Sequence, residues 1–192
     1  ITVAPDPRFG MAAPLARRIA LTDTSGKVHS QFTTRTATLS TATDPYSLTT
    51  LTETDQVGSG STTLTYTAST RTLVRTRTRR DDTLVLDTLG RPSSFSIDGF
   101  TATAFAYNAQ GNLTSLTQGT RVRSFTYGAD GFLATATDAA GKTTTYTRDL
   151  VGRPVTETTP DAQVYGYGYD AAGRLVTLTR PGHDAELWGY SP

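Results

Sequence analysis

Glycine recurs in this chain with a fixed neighbourhood and an almost fixed interval, and that recurrence narrows the choice of fold more than any other feature. The copies are Leu86-Asp87-Thr88-Leu89-Gly90-Arg91-Pro92, Tyr107-Asn108-Ala109-Gln110-Gly111-Asn112-Leu113, Tyr127-Gly128-Ala129-Asp130-Gly131-Phe132-Leu133, Arg148-Asp149-Leu150-Val151-Gly152-Arg153-Pro154 and Tyr169-Asp170-Ala171-Ala172-Gly173-Arg174-Leu175. The glycines are 21, 20, 21 and 21 residues apart, an interval typical of repeat arrays, whose units pack only on their neighbours. Counting back 20 from Gly90 reaches Thr70, inside Tyr66-Thr67-Ala68-Ser69-Thr70-Arg71, which reads as a sixth copy without its glycine. Counting forward 21 from Tyr169 reaches Tyr190, where a further copy opens and is cut at Pro192.

Each copy reads as strand, turn, strand. The segments before the motif alternate, as in Ser124-Phe125-Thr126-Tyr127 and Val164-Tyr165-Gly166-Tyr167-Gly168-Tyr169, so Phe105/Tyr107, Phe125/Tyr127 and Tyr165/Tyr167/Tyr169 each share one face. Stacking the copies would turn these faces into an aromatic ladder. The turn residues are Asp87, Asn108, Asp149 and Asp170, which bond backbone two residues on, and Gly90, Gly111, Gly131, Gly152 and Gly173, which supply positive φ. Composition agrees with an all-β chain: 40 Thr stand against three Glu, so β-branched residues abound and a strong helix former is scarce.

Charge is balanced, with 18 Lys and Arg against 17 Asp and Glu, so no global field points to nucleic acid or an anionic membrane. With no cysteine, disulfides, thiolate nucleophiles and sulfur-ligated metals are excluded together. No apolar run approaches the roughly 20 residues of a membrane helix, and the start at Ile1 has neither an initiator Met nor a signal peptide, so the chain reads as a fragment.

The run Tyr169-Asp170-Ala171-Ala172-Gly173-Arg174-Leu175, with Thr177, Thr179 and Pro181-Gly182 after it, resembles the signature of the RHS/YD repeat of bacterial Rhs toxins, the C subunit of Tc insecticidal toxin complexes, and teneurins. The resemblance runs from about Tyr66 to Pro192. Residues 43–65, with Asp44-Pro45-Tyr46-Ser47-Leu48, resemble a degenerate lead-in to the array, and residues 1–42, with Asp6-Pro7-Arg8-Phe9-Gly10-Met11, a β segment before it. The family resemblance implies an array of antiparallel repeats forming a spiralling β-sheet, part of a hollow shell that encloses a toxic C-terminal domain in toxin members. It implies as partners the remainder of the parent shell and its cargo domain, and a secreted or cell-surface bacterial setting. The self-cleaving core with its Asp residues and the hypervariable toxin domain of such proteins are absent from this sequence, so it is expected to be a non-catalytic structural segment. Glycan or cell-surface binding is the alternative the resemblance leaves open.

Other constellations are sparse. His29 and His183 are the only histidines, and His183-Asp184 in a Pro-Gly turn reads as a solvated loop, since a catalytic triad is defined by three-dimensional roles that adjacency does not supply. No paired-carboxylate motif, phosphate-binding loop or zinc spacing occurs, and no cofactor or metal is expected. Asp87, Asp149 and Asp170 could be imagined as a calcium ladder, but one Asp per 21 residues rarely gathers the six or more oxygens that cation takes, and turn capping suits them better. Arg75, Arg77 and Arg79 alternate in sequence and are expected on one face of a strand, either as an anion-binding surface or as a solvated face balanced by Asp81 and Asp82. Tyr165, Tyr167, Tyr169, Trp188 and Tyr190 would form the platform if the chain bound a glycan; packing between hairpins accounts for the three repeat tyrosines equally well. Strand edges left open in Thr-rich segments such as Thr143-Thr144-Thr145-Tyr146-Thr147 are expected to make the chain self-associate.

The turn assignment predicts that Gly173→Val is far more destabilising than Ala172→Val, by about 1–3 kcal/mol, because a β-branched residue at positive φ is a severe outlier. Equal denaturation midpoints for the two variants would refute it.

Overall fold

The computed structural model describes residues 1–190; the end of the copy cut at Pro192 lies outside them. Every regular element among the described residues is a β-strand. The chain divides into two units, Ile1–Thr103 and Ala104–Pro192.

The first unit is an antiparallel meander: β1 (Thr2–Asp6), β2 (Gly10–Thr22), β3 (Val28–Leu39), β4 (Leu48–Val57), β5 (Gly60–Thr67), β6 (Thr72–Arg77), β7 (Asp82–Leu86) and β8 (Pro92–Ile97), each paired with the next. The second unit repeats that connectivity with β9 (Thr103–Tyr107), β10 (Leu113–Gln118), β11 (Arg121–Tyr127), β12 (Leu133–Thr137), β13 (Thr143–Arg148), β14 (Pro154–Thr158), β15 (Val164–Tyr169), β16 (Leu175–Thr179) and the short β17 (Glu186–Leu187). Among the described residues no hydrophobic side chain is fully buried, so each unit is one layer of sheet without a core.

Register sorts the side chains by face. In the first unit, pairs such as Leu51↔Tyr66, Tyr66↔Leu73, Leu73↔Leu84 and Leu84↔Phe95 place apolar groups on one face. Thr36↔Thr52, Thr54↔Thr63 and Thr65↔Val74 lie on the other. The second unit does the same. Phe125↔Ala136, Tyr146↔Glu157, Glu157↔Tyr165 and Tyr167↔Leu178 share one face, while Ser124↔Thr137, Thr137↔Thr143, Thr145↔Thr158 and Gly168↔Thr177 share the opposite one. Threonine hydroxyls on that face bond across strands at Thr126–Thr135 (2.6 Å), Thr137–Thr143 (2.8 Å) and Thr147–Thr156 (2.6 Å), a pairing that suits directly opposed residues. The threonines of that face thus serve a side-specific purpose that propensity alone did not indicate.

The aliphatic face of the first unit also carries charge. Asp6 is 3% exposed; its Oδ1 accepts the Arg8 and Phe9 amides at 2.8 and 3.2 Å, and its Oδ2 accepts Arg35 Nη1 at 2.8 Å. Burial works against the Asp6 carboxylate, and the Arg35 guanidinium with the two amides outweighs it, holding the group below the usual carboxylate range. Arg35 also pairs with Glu53, directly opposite on β4, which fixes the β1–β2 corner to the sheet.

Two expectations need correction. The arginine stripe is shorter than its spacing suggested: β6 ends at Arg77 because the Asp81 carboxylate accepts the Arg77 amide (3.2 Å) and the Thr76 hydroxyl (3.2 Å), leaving Arg79 past the strand. Arg75 and Arg77 both face Asp82, at 3.9 and 3.0 Å, the closer contact being an ion pair without hydrogen-bond geometry. The copy without glycine turns one residue later than the interval implied: Arg71, not Thr70, has φ 53°, and its amide bonds the Ala68 carbonyl at 3.2 Å.

A second set of turns lies half a repeat out of phase with the first. Gly99, Gly119, Gly141, Ala162 and Gly182 all have positive φ and are spaced 20, 22, 21 and 20 residues apart. Asp138–Lys142 reproduces the motif loop, with the Ala140 and Lys142 amides on Asp138 Oδ1 at 2.8 and 3.0 Å. Thr159 does this with a hydroxyl, which accepts the Gln163 amide at 3.2 Å. Ala162 therefore holds φ 59° with a Cβ. Ala162→Gly is expected to stabilise the chain by about 1 kcal/mol, the left-handed strain relieved exceeding the backbone entropy glycine adds. An unchanged or lowered unfolding midpoint would contradict that reading of the loop.

Candidate functional site: the inter-repeat clasp

Four of the five motif loops are organised by the side chain at their first position. Asp87 Oδ1 accepts the Leu89 and Arg91 amides at 2.8 and 3.0 Å, and Asp149 Oδ1 accepts those of Val151 and Arg153 at 3.0 and 2.9 Å. Asp170 Oδ1 accepts the Arg174 amide at 2.9 Å. Asn108 makes the same pair of bonds to Gln110 and Asn112 at 3.1 and 2.9 Å, so an amide oxygen suffices for the cap. In the loop opened by Gly128 the carboxylate comes from Asp130, whose Oδ1 accepts the Phe132 amide at 3.0 Å. A Cβ at Gly128 would lie 2.5 Å from that oxygen. The amide of each motif glycine, Gly90, Gly111, Gly131, Gly152 and Gly173, bonds back to the carbonyl of the first loop residue at 2.9–3.1 Å.

The second oxygen of each Asp ties down the fifth loop residue. Arg91, Arg153 and Arg174 donate Nε to Asp87, Asp149 and Asp170 at 2.8, 2.6 and 2.8 Å. Those carboxylates are thereby committed, and among the described residues no group of three or more His, Cys, Asp or Glu is placed to hold a metal ion.

Two of these arginines reach the next copy. Arg153 lies 4.6 Å over the Tyr169 ring and Arg174 4.5 Å over Tyr190, within cation–π range. Arg153 also approaches Gly173, where a Cβ would lie 3.3 Å from its Nη1, a contact the mobile end of the arginine can relieve; glycine is required there for φ. The tyrosine position returns a bond to the preceding copy. Tyr127 Oη donates to the Leu113 carbonyl at 2.7 Å and Tyr190 Oη to that of Leu175 at 2.8 Å. The Asp, Gly, Arg and Tyr of the motif thus form one clasp between consecutive copies.

This geometry corrects the expectation of an aromatic ladder. Tyrosines one copy apart are separated by an intervening strand, hence by about 9–10 Å, beyond ring-stacking distance, and the ring partner of Tyr169 and of Tyr190 is an arginine from the loop before it. Tyr165, Tyr167 and Tyr169 share a face, each half-buried. Tyr167 Oη donates to Glu157 at 3.3 Å, and burial, with the Glu157 charge, pushes the phenol upward. Trp188 is 39% exposed beside β17, and its amide bonds the Val176 carbonyl at 3.0 Å. His183 lies in the Arg180–His183 turn, and His29 pairs with Asp23 at 3.2 Å. The arginine-to-tyrosine coupling was missed at the sequence level, although the Arg that follows Gly152 and Gly173 was its visible sign.

The clasp has a defined acid response. The Asp170 carboxylate lies below its ordinary range, held there by the Arg174 amide and guanidinium; at Asp87 the Arg91 amide is the main cause. Desolvation pushes Asp149 up, but the Arg153 amide and guanidinium outweigh it. A carboxylate whose pKa is lower folded than unfolded adds stability that is present above the unfolded value, about pH 4, and lost as pH falls through the folded one. The unfolding midpoint should therefore drop below about pH 4. Asp170→Asn, which keeps the cap as Asn108 does, should flatten part of that dependence and cost less stability than Asp170→Ala. An acid profile unchanged in Asp170→Asn would remove Asp170 from the cause.

The teneurin YD-shell family model matches residues 6–191. Among solved structures, a Photorhabdus luminescens Tc holotoxin pore carrying a TccC3 mutation superposes with a TM-score of 0.54 at 16% identity, covering 88% of this chain and 12% of that one. A TcdB2-TccC3-Cdc42 complex gives 0.45 at 16% identity over 85% of this chain and 11% of that one. TcdB2-TccC3 without its hypervariable C-terminal region gives 0.49 at 14%, over 85% and 11%. No curated protein matches. The chain spans about an eighth of the Tc structure it superposes on best of these three, and no helix among the described residues is long and apolar enough to cross a membrane. With the family model matched over nearly the whole chain, and with turns at the repeat interval tied to their neighbours at Arg153–Tyr169 and Arg174–Tyr190, this chain belongs to the teneurin YD-shell family.

Proposed function

We propose that the chain is one stretch of wall in a longer YD shell, working outside the cell or at its surface, that encloses a toxin or other cargo domain and performs no chemistry itself. The observation that carries this reading is the single sheet layer with no buried hydrophobic side chain and two chemically distinct faces. One face is aromatic and aliphatic, the other is threonine, and a wall between a cargo space and water needs that difference. A glycan platform is less well supported, because Tyr169 and Tyr190 already carry guanidinium groups on their rings and Tyr167 is bonded to Glu157. The remainder of the shell is the natural partner of the outer strands. As an isolated chain the protein should associate with further copies through its edges, although Pro5 and two register shifts in β1 blunt that edge.

The test is protease protection in the complete parent protein. The enclosed domain should resist digestion in the wild type and become accessible when Arg153→Ala and Arg174→Ala open two successive clasps. A domain digested equally in both would overturn enclosure. A hydrolytic, transferase or redox turnover abolished by His183→Ala would overturn the non-catalytic reading.

A further inference from the structure

One clasp in the second unit is built the other way round. In the loops that end in Arg153 and Arg174, the fifth residue supplies the cation and the next copy supplies the ring, Tyr169 or Tyr190. The loop from Gly128 ends in Phe132, and the next copy opens with Arg148 where the other copies of this unit have tyrosine. Ring and cation have exchanged places and still meet, with the Arg148 guanidinium 5.9 Å from the Phe132 ring.

The remaining contacts follow the same plan with the new side chains. Phe132 extends onto Gly152, where a Cβ would overlap the far edge of its ring, just as Arg153 extends onto Gly173. Arg148 Nε donates to the Leu133 carbonyl at 3.3 Å, the bond that Tyr127 and Tyr190 make to Leu113 and Leu175. Arg148 Nη1 adds a bond to the Gly152 carbonyl at 3.0 Å. A single substitution could not have produced this arrangement, since Phe facing Tyr or Arg facing Arg would lose the attraction.

We propose that the Phe132–Arg148 exchange is a register lock, a mating surface that accepts only its own neighbouring copy and keeps the ribbon from pairing one copy out of step. The hazard is real in a chain whose copies have nearly the same length and the same threonine pairs, because register is set by pattern and the pattern repeats. In a ribbon slipped by one copy, Phe132 would meet Tyr169 without a cation and Arg148 would follow Asn112 without a ring. The native neighbours are the ones that satisfy both.

The test uses this chain, which has no cysteine of its own. Thr137→Cys with Thr143→Cys reports the native register, because those residues are directly opposed on β12 and β13. Thr137→Cys with Val164→Cys reports the slip, because Val164 stands opposite Thr158, which holds in the next copy the place that Thr137 holds in this one. Each pair is introduced into the wild type, Phe132→Arg, Arg148→Tyr and the double variant, and the cross-link is quantified after refolding from denaturant under mild oxidation. Both singles should lower the unfolding midpoint, and the double, which rebuilds the ordinary clasp, should recover most of the loss. The slipped cross-link should nevertheless rise severalfold over wild type in the double variant. Additive midpoints would show that the two residues are not coupled, and recovered stability with no rise in the slipped cross-link would show an ordinary packing pair; either result overturns the lock. If an arginine or tyrosine variant does not fold, Phe132→Leu and Arg148→Gln run the same cycle with smaller changes, and the absence of coupling there counts equally against it.

Discussion

A sheet one layer thick has no interior, and the organisation of this chain follows from that constraint. A globular domain fixes its strands by burying a shared set of side chains, whereas here no hydrophobic side chain among the described residues is fully buried. Order has to come from contacts between adjacent strands and adjacent turns. The backbone ladder supplies most of it, and a ladder alone tolerates sliding. What fixes the slide is the side-chain oxygen at the head of loops such as those of Asp87 and Asp149, which gathers amides two and four residues on and so sets where one strand stops and the next begins. The arginine held by that same carboxylate then carries the decision to the neighbouring copy.

Much of this was legible in the sequence, because turns leave chemical marks that strands do not. Asp or Asn three residues before Gly, at 21-residue intervals, identified one row of loops. The opposite row was harder to see because its members vary: Asp138 heads one loop and Thr159 another, and Ala162 stands where glycine is expected. A search at half the interval would have found Asp138-Ala139-Ala140-Gly141, which has the same form as Asp170-Ala171-Ala172-Gly173. The end of β6 was missed for a different reason. Alternation of Arg75, Arg77 and Arg79 is a true strand pattern, and only the Asp81 carboxylate's capture of the Arg77 amide ends it. The ring-to-cation bridges were invisible to a reading that placed tyrosines by their own spacing and ignored what the strand between them would separate.

The two faces raise a separate physical point. A β-branched residue is favoured in strands wherever it sits, yet threonine is concentrated on one side, where its hydroxyls bond across the ladder at Thr126–Thr135, Thr137–Thr143 and Thr147–Thr156. That side can meet water without charge. The other side keeps Leu, Phe and Tyr together with ion pairs such as Arg35–Glu53 and Arg77–Asp82, so its polar groups are largely neutralised within the sheet. The difference lies in sequence parity, and one inserted residue would reverse it for a whole strand.

The meander has a mechanical consequence. Ladder bonds in an antiparallel pair run perpendicular to the strands, and in each unit consecutive strands are also neighbours in space. A pull applied at the two ends of such a unit acts along those bonds and concentrates on the outermost pair, so the sheet peels one strand at a time instead of shearing as a block. The clasps would then appear as small, regularly spaced resistances, one per copy. A wall built this way is firm against pressure spread over its surface and yields readily to a chain end drawn steadily away from it.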